Sequence, residues 1–324
     1  MGGLTAIMQD FSFIANSALV SNLDRLTREQ SVISEQRMLE ISDVASSFAK
    51  TSVSLFDDGL GIYDVLSMMS EGIEFCGYSP SEHNSSEREA FILGSLGALS
   101  RVDKAVFCAA YVAELKKLGA VLKESDFLEE GDGDETFTYV RNVFSDEAYD
   151  VFSQDFDDPR LKYSASFKEC AQALNAGEVT YCLLPLEEKG GVRLTSVAEI
   201  IFRNDFKINA LTPVFGTDGN ADMKYALVSK KFTVPAKTAD DDRYLEIRVG
   251  ASDGASLTEL LSAADFFSMS VYRVNTALFN TEGESEAYYS IVIRDGADGF
   301  VVLLTYLALF GEDFVPVGIY KNVE

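Results

Sequence analysis

From Tyr244 to Val323 the chain changes its hydrophobic pattern five times. YLEIRVGA reads as a strand, SLTELLSAADFFS as a helix, VYRVNTALF and YYSIVIRDG as two strands, FVVLLTYLALFG as a helix and VPVGIYKNV as a strand. A βαββαβ order within about eighty residues leaves few folds open, and the simplest is the ferredoxin-like arrangement: an antiparallel sheet covered by two helices on one face. Such a sheet keeps exposed edges and one uncovered face.

Upstream, SFKECAQALNAG is an amphipathic helix closed by Gly177, and VTYCLLPL is a strand with too few polar residues to face water on either side. With the strand-like TFTYVRNVF before them, they form a β-α-β passage, and the crossover implies parallel strands. The N-terminal part is helical. Leu19, Leu23, Leu26, Ile33, Ile41, Val44 and Phe48 follow a three-and-four spacing, which predicts one long amphipathic helix. A second block, REAFILGSLGALS, follows a polar turn in which Ser85 or Ser86 caps the helix, and VDKAVFCAAYVAELKKLGAVL is a third, strongly apolar helix. The run EEGDGDE, free of apolar residues, separates this helical region from the β-α-β passage. Three units result: a helical domain over 1–130, an α/β lobe over 136–236 and the βαββαβ unit over 243–324.

Charge narrows the partners. Against 27 basic residues stand 52 acidic ones, a net charge of −25 that repels phosphate backbones and anionic lipid, so neither nucleic acid nor membrane is expected as a partner. No window is apolar enough to span a bilayer. MGGLTAIMQDFSFIANSALV lacks the basic start of a signal peptide. Cys76, Cys108, Cys170 and Cys182 sit in apolar surroundings without metal-type pairing, the usage of buried reduced thiols in a cytoplasmic protein.

Metal loops and catalytic triads do not emerge. EEGDGDE and TDGNADM bring carboxylates together, but Met223 stands where a calcium loop needs glycine, no glutamate closes that loop, and TDGNADM reads as a hairpin turn. ADDDRY is a solvated linker. His83, the one histidine, lies in the polar turn SPSEHNSSE with no nucleophile motif around it. No cofactor is implied.

The passage YSASFKECAQALNAGEVTYCLLPLEEKGG and the tail ending in VPVGIYKNV together resemble prephenate dehydratase followed by its regulatory ACT domain, over roughly Thr136 to Val323. The resemblance implies a periplasmic-binding-protein-like α/β lobe ahead of a ferredoxin-like ACT domain. In that family prephenate is decarboxylated and dehydrated to phenylpyruvate in a cleft between two lobes. Only some thirty residues separate Gly191 from Met223, where the family inserts a second lobe, so the lobe here is partial.

The catalytic elements depart from the family pattern. YVRNVFSDEA retains Phe144, Ser145 and Ala148 of the opening motif, but Arg141, Asn142 and Val143 replace its glycine loop, whose backbone approaches an anion. The Thr-Arg-Phe motif aligns with Met223, Lys224 and Tyr225. A thioether donates no proton, and a lysine is a point charge where arginine is a fork. Glu187 matches the family's glutamate, followed by Glu188 and Lys189 in place of Asn-Ser. In the ACT-like part, Gly254, Ala255 and Ser256 stand for Gly-Ala-Leu, and the second ligand motif falls on Asn275, Thr276 and Ala277.

These substitutions predict no catalytic residue. They leave a remnant-lobe anion site made of Arg141, Ser145, Glu187, Lys189 and Lys224, and an ACT ligand site at Gly254, Ala255, Ser256, Asn275 and Thr276. In the remnant lobe Arg141, Lys189 and Lys224 come from three segments that the resemblance brings to one strand-end edge. Each of these cations has acids nearby in sequence or register, among them Asp146, Glu188 and Asp222, as alternative partners. The expectation is a non-catalytic protein that senses a small carboxylate or amino acid in aromatic amino-acid metabolism and dimerises through its ACT-like unit. A divergent dehydratase is one alternative. A chorismate mutase is another, although Arg25, Arg28 and Arg37 lack the neighbouring lysine and glutamine pattern of helical mutases. The third is a scaffold that binds a protein through the N-terminal helices.

Overall fold

The computed structural model describes residues 2–74, 99–131, 135–216, 221–238, 242–251, 254–281, 284–296, 299–311 and 314–323. Cys76, Ser85, Ser86, His83, nearly all of REAFILGSLGALS and the loop residues Asp218 and Asn220 lie outside them.

Helix α1 runs from Gly2 to Asp57 and α2 from Ile62 to Glu74. At 1.5 Å per residue, α1 extends roughly 84 Å. Toward its C-terminal end Ile41, Ala45, Ala49 and Ser52 recur at helical spacing and are buried against α3 (Arg101–Lys117). Leu26, which the spacing placed on the apolar face, is exposed along with Val32 and Leu39. Ser100 and Asp103 close a capping box at the start of α3, and the Tyr111 hydroxyl donates to Ser52 Oγ at 2.8 Å.

The first sheet contains six strands: β1 (Thr136–Val140), β2 (Arg160–Ser164), β3 (Tyr181–Glu188), β4 (Val192–Arg193), β5 (Lys207–Phe215) and β6 (Ala221–Ser229). Their order is β2-β1-β3-β6-β5, with β4 added to β3. β1 pairs in parallel with both β2 and β3, as the crossover argument requires, while β3-β6 and β5-β6 are antiparallel. β3 is buried along all but its last residue, which explains its continuous apolar run. TFTYVRNVF departs from the sequence reading. The strand stops at Val140, and Asn142 caps α4 (Val143–Phe152) by accepting from the Ser145 amide at 3.0 Å. An asparagine in extended conformation followed by Ser at the third helical position is a local helix start that strand propensity concealed. Helices α5 (Phe167–Asn175) and α6 (Thr195–Arg203) complete this unit, and Gly177 takes φ 71° just beyond α5.

The second sheet holds β7 (Arg243–Gly250), β8 (Ser270–Thr281), β9 (Glu284–Arg294) and β10 (Phe314–Lys321), with α7 (Gly254–Phe266) and α8 (Val301–Phe310). Its order, β10-β7-β9-β8, is the antiparallel arrangement that a βαββαβ chain forms when its helices share one face. Leu245, Ile247 and Val249 point into one core with Leu303, Leu304 and Tyr306 of α8, and that core continues through Phe107, Tyr111 and Leu115 of α3. The N-terminal helices thus cover the outer side of α7 and α8. The opposite sheet face meets the first sheet: Tyr244, Val292, Val317 and Tyr320 share a core with Leu184, Ile208 and Leu211. The face that the sequence left bare is therefore covered within the same chain. Gly318 permits the closest contact, since a Cβ there would stand 2.2 Å from the Ile208 carbonyl oxygen.

Candidate functional site

Strand alternation sends Glu246 and Arg248 of β7 to the face opposite Leu245, Ile247 and Val249, toward the first sheet. Between the two sheets, reaching Ile208 of β5 and Val317 of β10, lies a cleft of about 640 Å³. Its other wall comes from β4, α6 and the start of β5. The segment EEKGG builds that wall: Gly190 and Gly191 adopt φ 88° and 79°, a left-handed turn that folds β4 back on β3 and sets Arg193 opposite Glu187.

The back of the cleft is a chain of charges. The Arg193 guanidinium grips Glu246 with both terminal nitrogens, the Nη2–Oε2 bond being 2.6 Å. Ser290 Oγ donates to Glu246 at 2.7 Å and the Tyr320 hydroxyl at 3.1 Å. Arg193 Nε lies 3.8 Å from Glu187, which is also held by Arg273 Nη1. Burial by itself would raise the Glu246 carboxyl, but the Arg193 charge and the hydrogen bonds from Arg193, Ser290 and Tyr320 outweigh it and hold the group below the usual carboxylate range. Burial, reinforced by the Glu246 charge, pushes the Tyr320 phenol well up.

Arg248 is different. Its guanidinium carbon lies 4.2 Å from the Phe202 ring centroid and 5.8 Å from that of Tyr288, and among the described residues it makes no ion pair and no side-chain hydrogen bond. Burial lowers its pKa despite the Asp205 charge nearby. Asp205 is itself paired with Lys207 at 2.7 Å. The cleft therefore joins an apolar wall, including Leu186, Ile201 and Phe206, to one uncompensated cation.

The residues singled out by sequence fall into separate places. Arg141 is exposed, 3.5 Å from Asp146 and stacked on Tyr163. The Ser145 hydroxyl is buried, 2.9 Å from the carbonyls of both Val140 and Asn142, so it is spent on the helix start. Lys189 lies 3.3 Å from Asp222, and Lys224 stands in register with Glu187 on the neighbouring strand, beside a gap of only about 10 Å³. Gly254, Ala255 and Ser256 open α7, and Asn275 and Thr276 line the cleft. Arg193, Glu246, Arg248, Ser290 and Phe202 were not anticipated. The alternating charges of YLEIRVG were the available signal, since a sheet face destined for solvent or for an apolar partner has no need to place Glu246 and Arg248 together.

No protein-family model matches the chain, and no curated protein does. Among solved structures it is similar to prephenate dehydratase from Streptococcus mutans, with 12% identity over 59% of this chain and 99% of that one at a TM-score of 0.45. It is also similar to GqqA, a quorum-quenching acylase (16% identity, 58% and 96% covered, TM-score 0.43). A third is prephenate dehydratase from Arthrobacter aurescens in complex with L-Phe (14% identity, 57% and 89% covered, TM-score 0.41). Among the described residues no helix is long and apolar enough to cross a membrane.

Proposed function

We propose that this chain is a non-catalytic relative of the prephenate dehydratases, with a partial α/β lobe and an ACT-like unit, and that it senses a small molecule in aromatic amino-acid metabolism. The observation that carries this reading is the cleft of about 640 Å³ between the two sheets, a size typical of small-molecule sites. The groups that the resemblance would use for chemistry are committed elsewhere: Ser145 to backbone carbonyls, Glu187 to Arg193 and Arg273, and the proton donor's place to Met223. The test pairs a turnover assay on prephenate and arogenate with calorimetric titration of prephenate, chorismate, phenylpyruvate and the aromatic amino acids. Binding of at least one compound without turnover is the expected result. A rate that disappears in Glu187→Gln would make the protein an enzyme instead.

Dimerisation belongs to the same proposal. With one sheet face covered by the first sheet and the other by helices, the edge strand β8, which among the described residues pairs only with β9, exposes Tyr272 and Val274. Light scattering of the full chain should give a dimer that Val274→Lys disrupts, and a wild-type monomer at micromolar concentration would remove dimerisation from the proposal. The exposed apolar residues Leu26, Val32 and Leu39 of α1 favour a second reading in which this helix docks a protein partner.

A further inference from the structure

One row of residues crosses the floor of the cleft: Arg248 on β7 is in register with Ser290 on β9, and Ser290 with Asn275 on β8. Ser290 is engaged with Glu246 and Arg193. Its two neighbours are not so engaged. Arg248 makes no ion pair or side-chain hydrogen bond among the described residues, and the Asn275 amide nitrogen is buried without a hydrogen-bond partner. A buried donor left unsatisfied costs about 1–3 kcal/mol, so the Asn275 amide, one strand pair away from a half-buried arginine without an acid partner, is an unusual arrangement unless something accepts from it.

Resting on the sensing role proposed above, we infer that the cleft binds a small monocarboxylate bearing a flat apolar group, with its carboxylate held by the Arg248 guanidinium and the Asn275 amide. Four observations set this class. Charge accounting leaves one positive charge, because Arg193 is neutralised by Glu246, and Asp205 is paired with Lys207. A second carboxylate, or a phosphate, would therefore meet no free cation in a chain whose net charge is −25. Arginine's planar fork matches a carboxylate bidentately, and here it is pre-oriented by stacking on Phe202 rather than by an acid that the ligand would have to displace. The opposite wall offers the apolar side chains of Leu186, Ala198, Ile201 and Phe206, with no charged donor among them. The site also spans two units, with Arg248, Ser290 and Asn275 on the second sheet and Phe202 on helix α6 of the first, so an occupant would tie them together.

The chain contains no tryptophan, so Phe202→Trp places a single fluorophore at the cleft while retaining an aromatic face for Arg248. The probes are 3-phenylpropanoate, its neutral amide and phenylsuccinate, titrated into the full-length reporter protein. The monocarboxylate should change the tryptophan emission saturably, and the amide and the dicarboxylate should bind at least about ten-fold more weakly. Arg248→Gln in the reporter should weaken the monocarboxylate about ten- to hundred-fold. Its melting temperature should stay within about 2 °C of the parent, since the lost guanidinium has no ion pair to break. Asn275→Ala, which removes the second donor without touching charge, should weaken binding by a smaller factor. Equal affinity for acid and amide, or unchanged affinity in Arg248→Gln, overturns the inference. Absence of a response to all three probes also overturns it; in that event a compound that binds in the calorimetric series leaves the sensing role standing, whereas a wholly silent series removes both.

Discussion

Replacing Arg193 by methionine tests whether the two sheets are joined by charge across the back of the cleft. Arg193 belongs to β4 and Glu246 to β7, and their side chains are only 13% and 2% exposed. Methionine keeps most of the stem but leaves the Glu246 carboxylate with Ser290 at 2.7 Å and Tyr320 at 3.1 Å as its hydrogen-bond donors. Removing one partner of a buried pair costs about 3–5 kcal/mol. The two surviving bonds to the carboxylate favour the lower end of that range, about 3 kcal/mol. Glu246→Gln should cost less, about 2 kcal/mol, since Ser290 and Tyr320 can still bond the amide and Arg193 still has Glu187 at 3.8 Å. In the double variant neither charge is stranded, so its cost should fall short of the sum by about 1.5 kcal/mol or more. Urea unfolding followed by far-ultraviolet circular dichroism measures all four proteins. Additivity within about 0.5 kcal/mol, or a cost for Arg193→Met below about 1 kcal/mol, would show that water already reaches the pair and would refute the reasoning.

The same pair should shape the acid limb of stability. Because Glu246 is held below its unfolded value, its contribution is complete above about pH 4.3 and is lost as pH falls through the folded value, so unfolding free energy should drop more steeply below about pH 4 in the wild type than in Glu246→Gln. Equal slopes would contradict this. At the sheet junction, Gly318→Ala would place a methyl 2.2 Å from the Ile208 carbonyl oxygen and 2.9 Å from its Cβ, so it should destabilise the protein by about 2 kcal/mol. An unchanged melting temperature would mean that β10 and β5 do not touch in solution.

Much of the architecture was legible locally. VTYCLLPL predicts a strand buried on both faces because every residue in it lacks a reason to meet water, and β3 is such a strand. The six segments after Tyr244 carry their own periodicities, and these suffice to order the second sheet's elements, because strand and helix patterns are properties of neighbours a few residues apart. Where a short polar signal competed with an apolar run, as at Asn142 and Ser145, the apolar run misled: the cap acts through one hydrogen-bond geometry that propensity does not register. For the candidate site, Asn275 and Thr276 were within reach of motif position, and they do line the cleft.

By itself, the sequence determined the element order after Tyr244, the parallel crossover and the second sheet's helical cover. Only the tertiary structure decided what meets what between the sheets. Arg193 and Glu246 lie 53 positions apart, and Arg273 and Glu187 lie 86 apart. Nothing in either neighbourhood selects the partner, because Coulomb attraction and ring stacking depend on distances that only packing sets. Arg141 and Lys189 look like an anion site until folding places Asp146 and Asp222 against them, and Arg248 looks like a solvated strand residue until folding stacks it on Phe202 without an ion pair among the described residues. Charge type is a property of the residue. Whether that charge is compensated is a property of the fold.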